Sequence, residues 1–307
     1  MKFILQFPDT HGLEGDMLGE HHVGEVAAIA ERAGFDALSL TDHPAPGANW
    51  LASGGHQSVD PFVGLAFAAA ATERIRLLTY LAVLPYRNPF VTAKAAATLD
   101  RLSGGRFILG VGAGYLKTEF FALGVDFDER NALFDECVDV MQLCWSGEPF
   151  SYAGKHFDAR NVVHKPLPTQ RPIPIWVGGN SKLSRRRVAQ RAQGWMPMGG
   201  SPELAQTART LHIESFDALA AMVTEVKEAA GDRADELDFC VMYHDEAIHA
   251  DVTADAEKHR EAFARYEEAG FGWLVVGGRD KPSAAHTDWV EAFGETYLAN
   301  RDEEGRV

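Results

Sequence analysis

The chain has 307 residues, is 46% hydrophobic and carries a formal net charge of −15. A chain this long can bury a large core, either as about two ordinary domains or as one α/β barrel of about 250 residues or more. Its acidity argues against a nucleic-acid or anionic-membrane partner, whose phosphates would repel it, and no apolar run approaches the roughly 18 residues of a membrane helix.

The chain opens on "MKFILQFPDTHG", an apolar run too short for a signal peptide that meets a turn at once. From there one unit recurs. An Ala/Glu/Arg-rich helical stretch ends at a glycine or charged residue, and an apolar strand follows. "AAIAERAGFDALSLTDH" shows it at 27-43, and "FARYEEAGFGWLVVGG" shows it near the far end. Glycine after the last helical turn is the expected C-cap. Strands are expected at 2-7, 36-41, 76-83, 106-112, 174-178, 194-198, 237-243 and 272-277. Helices are expected at 23-33, 61-73, 89-102, 129-146, 182-192, 215-230, 254-269 and 283-299. The strands are continuous apolar runs, the mark of parallel strands buried on both faces. The 129-146 helix carries Leu133, Cys137, Val140, Met141 and Cys144 on one face. Eight strand–helix pairs predict an α/β fold, a (β/α)8 TIM barrel, with an open doubly wound sheet as the alternative.

Insertions are expected at the carboxyl-end loops, 43-60 after the second strand and 199-214 after the sixth, and a third long connection, 147-173 with a candidate small hairpin at "SYAGKHF", interrupts the step to the fifth strand. The three cysteines make no disulfide framework. Cys137, Cys144 and Cys240 are expected as core thiols in a reducing cytoplasm.

Barrel chemistry belongs at the carboxyl ends of the strands. In chain order these ends offer Gln6-Phe7-Pro8-Asp9, Thr41-Asp42-His43, and Thr79-Tyr80-Leu81 running on to Pro85-Tyr86-Arg87-Asn88-Pro89. Then come Gly112-Ala113-Gly114-Tyr115, Gly178-Gly179-Asn180-Ser181 and Met196-Pro197-Met198. No metal site is expected, because only Asp42 and His43 stand out as ligands and neighbours on a strand point to opposite sides. His21-His22 are expected as solvated surface. "GRFILGVGAGY" fails the G-x-G-x-x-G spacing, since the third glycine falls at Tyr115 or Lys117. Two readings of Gly112 and Gly114 stand: a floor under a planar heterocycle, or tight packing at the rim. "VGGNSKLSRRR" at 177-187 is the better anion site, with a glycine turn, Ser181 or Ser184 to cap the next helix, and Arg185, Arg186 and Arg187 to add charge. Its rival is Gly277-Gly278.

The order "ERAGFDALSLTDH", "ERIRLLTYLAVLPYRNPFVTAKAAATLDRLSGGRFILGVGAGYLKTEFF" and "PIPIWVGGNS…RRVAQRAQGWMPMG" resembles the bacterial luciferase-like flavin monooxygenase superfamily. Within it, the resemblance is to the branch that uses the deazaflavin coenzyme F420. It covers most of residues 1 to 200. The resemblance implies one luciferase-like barrel domain over 1-307, an oxidoreductase with a small-molecule substrate, and a homodimer. It implies a ring beside Gly112-Ala113-Gly114, a cis peptide at Tyr80-Leu81 behind that ring, and a cofactor phosphate at Gly178, Gly179, Asn180 and Ser181. Deazaflavin members carry an Asp-His pair like Asp42-His43. This makes His43 the expected proton donor or acceptor, with Asp42 beside the cofactor or fixing the backbone. Tyr80 departs from the small residue more common there.

Tyr115 stands where deazaflavin-dependent sugar-phosphate dehydrogenases carry a glutamate, and no lysine set for a phosphorylated substrate is evident, so that activity is not expected. Phe7, Trp50, Tyr115, Phe120 and Phe121 suggest an apolar or aromatic pocket. The alternatives are an FMN-dependent monooxygenase, a non-catalytic flavin-binding relative and, more remotely, a barrel hydrolase or isomerase.

Overall fold

The computed structural model describes residues 1–8, 16–18, 22–277, 283–299 and 301. Strands β1 (Lys2–Gln6), β2 (Ala37–Leu40), β3 (Arg76–Thr79), β4 (Ala82–Val83) and β5 (Phe107–Gly112) come first. The hairpin β6 (Phe150–Ala153) and β7 (Asp158–Val162) follows, and then β8 (Ile175–Gly178), β9 (Gly194–Met196), β10 (Asp238–Met242) and β11 (Trp273–Val276). Strand order is β3-β2-β1-β11-β10-β9-β8-β5, and β5 pairs back onto β3 through Leu77 with Phe107 and Leu78 with Ile108. That pairing closes an eight-stranded parallel barrel and removes the open-sheet alternative.

Each barrel strand is followed by a long helix: Val23–Ala33, Pro61–Ala71, Pro89–Leu102, Arg130–Ser146, Lys182–Arg191, Phe216–Ala230, Ala256–Glu268 and Ser283–Phe293. Several starts are written locally. Asp60 accepts from the N–H of Phe62 and Val63, and Asn88 from that of Phe90, each ahead of a proline at the first helical position.

Side chains alternate along each strand. Ile4, Leu78, Ile108, Trp176, Met196, Cys240 and Trp273 fill the barrel interior. Phe3, Leu5, Phe7, Leu77, Phe107, Leu109 and Val177 pack outward with the helices. Burying a side chain such as Leu78 or Ile108 is worth about 1.5–3 kcal/mol. All three cysteines are buried free thiols.

The structure departs from the sequence reading in two respects. The expected strand 76-83 breaks in two. β3 leaves β2 after Leu40 pairs with Thr79 and β4 pairs only with β5, while the Tyr80–Leu81 peptide between them is cis, as the resemblance implied. The loops 43-60 and 199-214 also carry short helices, Ala48–Ala52 and Pro202–Thr207. One turn or so is too short to show a helical period. Among the described residues no helix is long and apolar enough to cross a membrane.

Candidate active site at the carboxyl face of the barrel

His43 leaves the end of β2 with its backbone N–H held by Ser58 Oγ at 2.6 Å. Its ring lies among aromatic groups: Trp50 at 4.7 Å between centroids, His56 at 4.8 Å and Tyr115 at 6.0 Å. Its Nδ1 meets Glu119 Oε2 at 3.3 Å. Glu119 lies on the helix Lys117–Ala122 and is 1% exposed. The same carboxylate accepts from Tyr86 O–H at 2.9 Å and from Ala45 N–H at 3.3 Å. Burial, with the Glu119 charge beside it, pushes the Tyr86 phenol well above the usual tyrosine range, so it stays a donor. The same two causes push Tyr115 up. Glu119 was not singled out in the sequence. Its only signal is a lone acid in "LKTEFF", followed by two phenylalanines and one helical turn after Tyr115. Tyr86, on the strand-three rim, and His56 had no signal for a role.

Asp42 points the other way, as strand alternation requires. It is buried, accepts from Val83 N–H at 3.0 Å and pairs with Arg87 Nη2 at 2.8 Å. Arg87 bridges on to Asp60, the cap of helix Pro61–Ala71, at 3.0 Å. Of the two roles expected for Asp42, beside the cofactor or fixing the backbone, its contacts are those of the second, and it is a positioning group rather than a catalytic one. Both carboxylate oxygens are occupied in fixing β4 and the Arg87 loop.

The glycines at the strand ends have a concrete reason. A Cβ on Gly112 would lie 3.1 Å from Leu81 Cδ1, and one on Gly178 would lie 2.3 Å from it. The Leu81 side chain thus sits in a hollow between two strand ends and forms a half-buried apolar bed at the mouth. Ala113 adjoins it, half-buried, and Tyr80 packs against the interior cluster. Gly114 has φ +79°, and a Cβ there would meet Val83 at 2.6 Å and Phe120 at 2.9 Å. The rim-packing reading therefore accounts for Gly114. A flat apolar bed bordered by glycines is a surface on which a planar ring fits.

Gly179, with φ +101°, turns the chain into the helix Lys182–Arg191. Ser181 caps that helix by accepting from Ser184 N–H at 3.1 Å. The remaining first-turn N–H groups have no carbonyl within the helix, which suits an anion. Two expectations are corrected here. Asn180 is fully buried. Its amide donates to Met198 O and Leu211 O and accepts from Met198 N–H, so it braces two loops and offers no side chain to a ligand. Arg185 is held by Asn180 O and Glu225, and Arg187 by Asp135, which leaves only Arg186 exposed. Of the rival turn, Gly278 lies outside the described residues, as do Asp9 and His21. His22 is exposed.

Among the aromatic candidates, Trp50 and Tyr115 line a cavity of about 450 Å³ between residues 47–50, 115–118 and 207–209. The others are corrected. Phe7 follows the outward parity of Phe3 and Leu5 and is 1% exposed in the outer core. Phe120 is buried behind the site against Tyr86 and Phe127, and Phe121 is 90% exposed to solvent. Among the described residues no group of three His, Cys, Asp or Glu side chains is arranged to hold a metal.

Comparison with known proteins fits this geometry. The chain is 30% identical over 312 residues to an F420-dependent glucose-6-phosphate dehydrogenase of Beutenbergia cavernae, covering 88% of this chain and 90% of that one. It is 33% identical over 181 residues to an FMNH2-dependent dimethylsulfone monooxygenase of Pseudomonas putida, covering 58% and 48%. The fold is similar to that of a monooxygenase from Streptomyces bottropensis, with a TM-score of 0.75 at 22% identity over 97% of this chain and 99% of that one. The sequence profile of the luciferase-like monooxygenase family matches residues 1–301, and with it the chain belongs to that family of flavin- or F420-dependent oxidoreductases.

Proposed function

We propose that the chain is a coenzyme F420-dependent oxidoreductase, cytoplasmic and homodimeric, acting on a small organic substrate. The observation that carries the reading is the His43–Glu119 pair at the barrel mouth. The deazaflavin, when bound, supplies or accepts the hydride. With Glu119 accepting from Nδ1–H, His43 keeps Nε2 free to take or give the proton that accompanies hydride movement at a carbinol or carbonyl carbon. Tyr86 O–H and Ala45 N–H hold the carboxylate in place. Trp50 and Tyr115 shield the imidazole from water. Leu81, bordered by Gly112 and Gly178, offers the ring its bed. Beyond the Gly178–Gly179 turn, whose Gly179 and Asn180 N–H groups are taken by Met196 O and Thr210 Oγ1, the helix start at Ser181 offers its remaining first-turn N–H groups to the cofactor phosphate.

The second reading is a monooxygenase that uses reduced FMN, supported by the similarity to the dimethylsulfone enzyme. Titrating apoprotein with FMN and with F420, followed by fluorescence, separates the two. Tight F420 binding and substrate turnover without oxygen uptake are expected. Tight FMN binding with oxygen consumption after reduction selects the monooxygenase. Binding without any turnover selects a carrier.

A further inference from the structure

The loop after β5 and the loop after β9 bring together three cations that the sequence scatters. The Lys117 ammonium lies 4.9 Å from the centre of the Phe127 ring, the Arg130 guanidinium 4.0 Å and the Arg209 guanidinium 5.5 Å. All three charges therefore stand within roughly one Debye length, ~10 Å at 0.1 M salt, of one another. The chain is otherwise strongly acidic. Its other arginines commonly meet carboxylates: Arg87, Arg187 and Arg301 pair with Asp42, Asp135 and Asp36. Among the described residues no carboxylate lies within ion-pair distance of Lys117, Arg130 or Arg209, although Asp126 and Asp128 flank Phe127. Asp126 instead accepts from the N–H of Asp128. Cation–π contact with one ring offsets part of the mutual repulsion, and an anion would offset the rest.

The position of the cluster gives it a use. Lys117 and Arg209 line the cavity of about 450 Å³ whose aromatic wall is Trp50 and Tyr115. Those two rings also flank His43. The walls are tied together. Gly47 approaches Thr118 so closely that a Cβ would lie 3.2 Å from its Oγ1, and Thr210, next to Arg209, accepts from Asn180 N–H at 3.1 Å. A cavity this size holds a bicyclic aromatic body.

We propose that this cavity is the substrate pocket and that it selects organic anions. A planar or apolar body lies against Trp50 and Tyr115, and a carboxylate or phosphate lies between Lys117 and Arg209, with Arg130 behind them. The proposal rests on the oxidoreductase reading only for the identity of the occupant as substrate. The anion fixes the orientation of the body against the two rings that flank His43.

The test uses apoprotein and two probes of the same shape, 2-naphthoate and neutral 2-naphthamide, with binding read by calorimetry. Wild type is expected to bind naphthoate about tenfold or more tightly than naphthamide, the scale of a charge-assisted contact. Added salt weakens naphthoate alone. In the double variant K117Q/R209Q, whose side chains are exposed, the preference disappears and naphthamide affinity stays within about twofold. Equal affinities in wild type, or a preference that survives the double variant, overturn the proposal. A double variant that binds naphthoate normally but loses F420 would assign the cations to the cofactor phosphate and also overturn it. No turnover is needed, so failure here leaves the F420 reading standing, and failure to bind F420 leaves this result intact.

Discussion

Nδ1 of His43 stands 3.3 Å from Oε2 of Glu119, a buried carboxylate 76 residues further along the chain. The pair joins the end of β2 to the short helix after β5.

His43→Ala is expected to bind cofactor within a few fold of wild type and to turn over about 10²-fold more slowly or worse, the usual scale for a lost general acid or base. Single-turnover kinetics read the loss directly. Near-normal turnover would make His43 a structural residue.

Glu119→Gln and Tyr86→Phe act through His43. Each is expected to lower kcat about tenfold, with KM changed less than about twofold, because Glu119→Gln removes the charge that faces His43 and Tyr86→Phe removes one hydrogen bond to that charge. Neither should slow the His43→Ala enzyme further, since the three side chains work as one unit. Full additivity in that double-mutant cycle would separate them.

Gly112→Ala and Gly178→Ala both press on Leu81, and the clash is closer for Gly178. Overpacking of this kind costs about 1–3 kcal/mol. Cofactor affinity is expected to fall in both variants, by about tenfold or more for Gly178→Ala and by less for Gly112→Ala. Restoring space with Leu81→Ala in the Gly178→Ala background should recover part of the thermal stability. The reverse order of the two alanine variants would place the ring bed elsewhere.

The hairpin β6–β7 is clasped to helix Arg130–Ser146 through Glu136. Burial raises the Glu136 carboxyl. The His156 side chain, the N–H groups of His156 and Phe157 and the His156 charge outweigh it and hold the carboxyl below the usual range. A carboxyl depressed in the folded state stabilises above its unfolded pKa of about 4.3, and that contribution is lost as pH falls through the folded value. Melting temperature should therefore fall more steeply below pH ~4 in wild type than in Glu136→Gln. At neutral pH the variant should be less stable, on the order of 1 kcal/mol. Parallel curves for the two proteins would remove Glu136 from the acid response.

Val63, Phe67 and Val91 are 60%, 65% and 68% exposed on the adjacent helices Pro61–Ala71 and Pro89–Leu102. A second copy of the chain is the partner expected there. Phe67→Glu should convert a dimer to a monomer in sedimentation while leaving the far-UV circular dichroism unchanged. A monomeric wild type would refute the homodimer.

The sequence by itself determined the eight strand–helix units, because strands buried on both faces must be continuous apolar runs and because aspartate, asparagine and glycine mark helix ends through local hydrogen bonds. It also determined which strand ends carry His43, Gly112 and Gly178, since those positions follow from register. Only the tertiary structure decided which way the side chains at those ends face and what they meet. Alternation sent Phe7 outward and Asp42 to Arg87, and closure of β5 on β3 drew Glu119 to His43. Arg185 reads as an anion ligand because a sequence shows charge, and the resemblance placed Asn180 at the phosphate, but only packing shows that Glu225 and the loop carbonyls of Met198 and Leu211 already occupy them. Lys117, Arg130 and Arg209 became a cluster for the same reason: loops distant in the chain converge at the barrel mouth, and no local pattern encodes that meeting.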